Sequence, residues 1–92
     1  MDTPLSIAKP DNGFFSIKKM VEIMAYALVD QPEEVFVSEI SSDHSSIVEL
    51  KVAKEDLGKI IGKHGQNAGA MRTIVNAVSA KTKKHTILEI IK

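Results

Sequence analysis

The apolar residues of this 92-residue chain change their spacing along its length, and that change limits what it can fold into. Ile17, Met20, Val21, Met24, Ala27 and Leu28 recur at helical intervals and form one stripe. This predicts a helix over residues 15–29, with Ser16 as its N-cap and Pro32 preventing its extension. Farther on the period falls to two. Val48, Leu50 and Val52 alternate with Ile47, Glu49 and Lys51, the pattern of a strand with one buried face. β-Branched and aromatic residues predict a partner strand over 34–40, and the polar turn at 41–45 joins the two as a hairpin.

The helical period then returns. A short helix is expected over 54–60, with Glu55 and Asp56 in its first turn, where acids complement the helix dipole. A longer helix follows over 66–80, with Ala68, Met71, Val75 and Val78 on one face. The basic stretch 81–84 breaks that pattern, and a third strand occupies 86–91. The order helix, strand, strand, short helix, helix, strand implies an α+β, two-layer sandwich with the helices on one face of a three-stranded sheet. Residues 1–13, with Pro4, Pro10 and Asp11-Asn12-Gly13, read as a flexible tail, and residues 14–92 as a single domain.

Composition removes several classes of function. The chain has no cysteine, and its three histidines are dispersed, so neither a disulfide scaffold nor a metal site is expected. His44 and His85 read as surface residues. No apolar run approaches the roughly 20 residues that cross a bilayer, and the start lacks a signal-peptide pattern, so a cytoplasmic protein is expected. No nucleophile sits beside a base, and Glu55 and Asp56 point about 100° apart on a helix. Gly58, Gly62 and Gly65 fit neither the P-loop nor the dinucleotide spacing. The expectation is a protein that is not an enzyme and takes no cofactor.

Net charge is zero but unevenly placed. Residues 1–50 hold three lysines against nine acids, a net of −6, whereas residues 51–92 hold eight lysines and Arg72 against three acids, a net of +6. Such asymmetry points to polyanion binding by the second half.

The basic half contains Gly62-Lys63-His64-Gly65, between the two predicted helices. Glycine permits backbone angles that a sharp helix–turn–helix needs, and it lacks the Cβ that would hold a phosphate backbone away. Lys63 adds a positive charge, His64 adds a donor, and the N–H groups opening the next helix face anions. These are the parts of a clamp for a nucleic-acid backbone, although the same spacing also serves a plain turn.

The context of this loop resembles the K-homology (KH) domain, whose shared unit is strand–helix–GxxG loop–helix–strand. The preceding helix and strand resemble the type II arrangement (α-β-β-α-α-β). Val21-Glu22-Ile23, Ala27-Leu28-Val29-Asp30, Pro32-Glu33-Glu34-Val35, the run from Leu57 to Gly65, Arg72-Thr73 and Leu88-Glu89-Ile90-Ile91 are similar to the small stand-alone bacterial KH proteins of the KhpA (YlqC) type. The likeness spans roughly residues 16–92. It implies a cytoplasmic single-stranded RNA-binding protein acting as an RNA chaperone or post-transcriptional regulator. It further implies a homodimer, a heterodimer with a KhpB (Jag)-type KH protein, or both, and a role in cell length and peptidoglycan homeostasis. Two departures stand out. The first 13 or so residues have no counterpart, and His64 stands where relatives often carry Gln, Glu or Arg.

Residue roles follow. Gly62 and Gly65 shape the loop and let phosphate approach, Lys63 contacts phosphate or is a solvated lysine, and His64 either adds a contact or does not. Lys59, one helical turn earlier, extends the positive face. Arg72, two turns into the long helix, reaches a base or phosphate, or pairs with an acid of the first helix. The resemblance to KH domains implies that Ile61, Leu57 and Val52 line an apolar groove for bases, whereas from the residues alone they could simply pack in the core. With so few aromatic rings, bases would meet aliphatic side chains, which implies modest affinity and loose sequence preference unless a second copy or a partner adds avidity. The alternative is a protein-interaction or dimerisation module whose partner contacts most of the RNA.

Overall fold

A computed structural model describes residues 16–92. The expected tail over 1–13, and Phe15 at the start of the first predicted helix, lie outside these described residues.

Helix α1 spans Ile17–Leu28, and the Ser16 side chain accepts the Lys19 N–H at 3.0 Å, as its identity as an N-cap requires. The helix buries Ile17, Val21 and Ala25 and half-buries Met20, Met24 and Leu28. Ala27, placed on the inner stripe by its spacing, is exposed, and Ala25 takes the inner position. A single turn of 3-10 helix, Pro32–Glu34, delays the first strand, so β1 runs Phe36–Ser41 rather than starting at Glu34. Pro32 favours this turn because its fixed φ suits a first helical position.

Ser42 closes the hairpin. Its N–H donates to the Ser45 carbonyl at 2.8 Å, and β2 follows at Ser45–Lys51. A 3-10 turn, Lys54–Asp56, leads into the five-residue helix α2, Leu57–Ile61. After the loop, helix α3 spans Gln66–Thr82. It runs two residues past its expected end, because Lys81 and Thr82 are compatible with helix and only Lys83, at φ 60°, adopts the left-handed conformation that stops it. Strand β3 is His85–Ile90.

The sheet order is β1-β2-β3. β1 and β2 are antiparallel, from Phe36 opposite Lys51 to Ser41 opposite Ser46. β2 and β3 are parallel, from Ser45 beside His85 to Leu50 beside Ile90. A parallel neighbour requires a crossover, and α2 and α3 supply it. The core lies between sheet and helices: Val48, Leu50 and Leu88 from the sheet meet Val21 and Ala25 of α1, Ile60 of α2, and Met71 and Val75 of α3. Ser79 and Thr86, both buried, satisfy each other where α3 turns into β3: the Thr86 N–H donates to Ser79 Oγ at 3.1 Å, and that hydroxyl donates to the Lys84 carbonyl at 2.8 Å. The opposite face of the sheet bears Ile40, Ile47 and Ile87 in one row across the three strands, all exposed.

Candidate nucleic-acid interface

The loop between α2 and α3 is built from backbone conformations that side chains resist. Gly62 ends α2 at φ 77°, ψ 170°, and Gly65 opens α3 at φ 75°, ψ 14°. His64 between them is also left-handed, at φ 57°, ψ 24°. A non-glycine residue held there costs on the order of 1–3 kcal/mol, and such strain gathers at functional sites. A Cβ on Gly62 would lie 2.7–2.9 Å from the Asn67 backbone nitrogen and side-chain carbons, whereas one on Gly65 would meet nothing within 4 Å. Gly62 is thus required by close packing as well as by φ, and Gly65 by φ alone.

The Gly62 N–H donates to the Gly58 carbonyl at 2.8 Å, and the Gly65 N–H to the Gly62 carbonyl at 3.1 Å. Lys63 and His64 on this turn are both exposed. No side chain caps the start of α3. The uncapped start of α3 thus lies beside two exposed basic side chains, a setting that favours an anion.

The other expected site residues are distributed less simply. Lys59 ends on two carboxylates, with Nζ 3.3 Å from Asp30 Oδ2 and 3.8 Å from Asp56 Oδ1. Its charge is thus partly matched within the protein. Among the described residues Arg72 pairs with no acid of α1. Its Nε donates to the Leu88 carbonyl at 3.3 Å, which lays the guanidinium along the open edge of β3. Val52 and Leu57 do come together. They line a cavity of about 470 Å³ with Ala53 and Ile91, rimmed by Lys51, Lys54, Lys92 and Glu34. Ile61 is half-buried beside the loop and does not line that cavity.

Two contributors escaped the sequence. Asp56 stands in the first turn where it was expected, but buried. It is 1 % exposed, and its two oxygens accept the N–H groups of Asp30 and Gln31 at 3.2 and 3.0 Å. Asn67 donates its side-chain amide to the Lys59 carbonyl at 2.8 Å, tying α2 to α3 across the loop. An asparagine in the first turn of a helix, where it is a poor helix former, was the available signal.

The model of the KhpA/KhpB KH domain matches residues 18–90. This chain belongs to the KhpA/KhpB KH-domain family. RNA-binding protein KhpA of Clostridium perfringens is 51% identical over 75 residues, covering 82% of this chain and all of that protein. RNA-binding protein KhpA of Caldanaerobacter subterraneus is 53% identical over 73 residues, covering 79% of this chain and 97% of the relative. That of Aquifex aeolicus is 42% identical over 76 residues, covering 83% and 96%. No solved structure matches the chain. The KhpA/KhpB assignment agrees with the α-β-β-α-α-β order and the three-stranded mixed sheet. Among the described residues there is no group of side chains that could hold a metal ion, and no helix is long and apolar enough to cross a membrane.

Proposed function

We propose that this chain binds single-stranded RNA, gripping the phosphate backbone with Gly62-Lys63-His64-Gly65. The observation that carries this reading is the left-handed loop itself. It sets two exposed basic side chains beside the uncapped start of a 17-residue helix. The names of the KhpA relatives, RNA-binding proteins, support it. Bases would lie toward the apolar cavity at Val52 and Leu57, whose lysine rim adds attraction for phosphate. The protein acts by binding, without catalysis, as a cytoplasmic RNA chaperone or post-transcriptional regulator. The family resemblance extends the proposal to self-association, to a KhpB (Jag)-type partner, and to cell length and peptidoglycan homeostasis.

Crosslinking the tagged protein to cellular RNA tests site and target class together. The wild type is expected to recover RNA, and a folded Lys63→Asp, His64→Asp variant to recover far less. Equal recovery rejects the loop as the clamp.

The exposed row Ile40, Ile47 and Ile87 favours a second reading, a protein-interaction module. Beside that row, Glu49 and Glu89 are register neighbours, so this sheet face presents carboxylates and suits protein better than RNA. Light scattering after size exclusion, with and without RNA, separates the two. RNA-independent association lost in Ile47→Lys supports the module, and a strict monomer counts against self-association.

A further inference from the structure

The shape of the loop is secured from outside it. The backbone bonds within Gly62–Gly65 close the turn but do not fix the angle between the helices it joins. Among the described residues, one side-chain hydrogen bond spans it: Asn67 Nδ2, in the first turn of α3, donates to the Lys59 carbonyl in α2 at 2.8 Å. That carbonyl lies near the end of a five-residue helix, where carbonyls lack intrahelical donors. The same Asn67 packs against Gly62 so closely that no Cβ fits between them. Lys59 is itself anchored at its other end by Asp30 and Asp56. A continuous series of contacts therefore runs from the α1–β1 connection through Asp56 and Lys59 to Asn67 and the loop.

We infer that Asn67 is a positioning residue for RNA binding: it holds the Gly62–Gly65 loop in its left-handed shape, and so aims Lys63 and His64 beside the start of α3, without contacting RNA through its own amide. This inference rests on the loop being the RNA clamp. A loop free to sample other conformations binds only through the fraction that is competent, and apparent affinity falls by that fraction.

The test uses the full chain and fluorescence anisotropy of a short labelled ribo-oligomer of mixed sequence. Asn67→Ala removes the donor. Asn67→Leu also removes it but keeps nearly the same shape and favours helix, so it carries the test if the alanine variant folds poorly. Each is expected to weaken binding about tenfold, the scale of one lost hydrogen bond. In the RNA-free protein, amide resonances should move at Lys59 and from Gly62 to Gly65 while those of the sheet stay in place.

A purely structural asparagine would not couple to Lys63, so the deciding readout is a double-mutant cycle. In a Lys63→Ala background, loss of the Asn67 donor should cost less than about half, on a logarithmic scale, of what it costs in the wild type. Wild-type affinity in the Asn67 variants, or full additivity with Lys63→Ala, overturns the inference while leaving the clamp standing. Unchanged affinity in the Lys63→Asp, His64→Asp variant overturns the clamp, and with it this role for Asn67.

Discussion

Asp56 accepts the Gln31 backbone N–H at 3.0 Å across 25 positions of sequence, joining the connection after α1 to the base of α2. Its second oxygen accepts the neighbouring Asp30 N–H. A carboxylate this deeply buried serves two backbone donors that have no place in a helix or strand ladder. Replacing Asp56 with alanine should lower unfolding free energy by roughly 2–4 kcal/mol, since two donors lose their acceptor. Asp56→Asn should cost less, because its amide retains one acceptor oxygen. Urea unfolding followed by circular dichroism reads both, and a loss below about 1 kcal/mol for the alanine variant would show that water replaces the carboxylate.

The three glycines around the loop should respond in a defined order. Gly62→Ala meets Asn67 within 3 Å at a positive φ, and should be the most damaging, by about 2 kcal/mol or more. Gly65→Ala has open space around it and should cost only the left-handed penalty, about 1 kcal/mol. Gly58→Ala, inside α2 with nothing within 4 Å of its Cβ, should stabilise by roughly 0.5–1 kcal/mol. Thermal melts of the three variants establish the order, and a Gly62 variant as stable as Gly58→Ala would refute the close packing.

Lys83 terminates α3 at φ 60°, a conformation glycine adopts without penalty. Lys83→Gly should therefore raise stability by about 1 kcal/mol. No gain on unfolding would mean that the lysine side chain repays the strain by contacts of its own.

How far the sequence revealed this architecture depended on how local each determinant was. The N-cap Ser16, the alternation through Val48 and Leu50, and the inner face at Ala68, Met71 and Val75 were legible, because period and capping act within a few residues. The boundaries of β1 and α3 shifted by two residues, since Pro32–Glu34 spends a turn as 3-10 helix and Lys83 defers the stop. Of the site, the glycines, Lys63 and His64 were legible as a loop. The partners of Lys59, Arg72 and Asp56 were not. Asp30, the Leu88 carbonyl and the Gln31 N–H lie 16 to 29 positions away, and only the packed fold brings them together.

The sheet separates packing from surface along a single strand. Leu50 is fully buried and Ile47, three residues earlier, faces out. Leu50→Ala should cost about 2–5 kcal/mol, whereas Ile47→Ala should stay near 0.5 kcal/mol. Comparable losses at both positions, measured by urea titration, would indicate that the outer face is covered in solution.

In the proposed mode of binding, the loop holds RNA by its phosphates. Anisotropy titration of a single-stranded ribo-oligomer at several salt concentrations tests it most directly. With about three phosphates neutralised, log K should fall against log salt with a slope near −2. The Lys63→Asp, His64→Asp variant, shown folded by circular dichroism, should bind at least about tenfold more weakly and with a shallower slope. Wild-type affinity and slope in that folded variant would contradict the account.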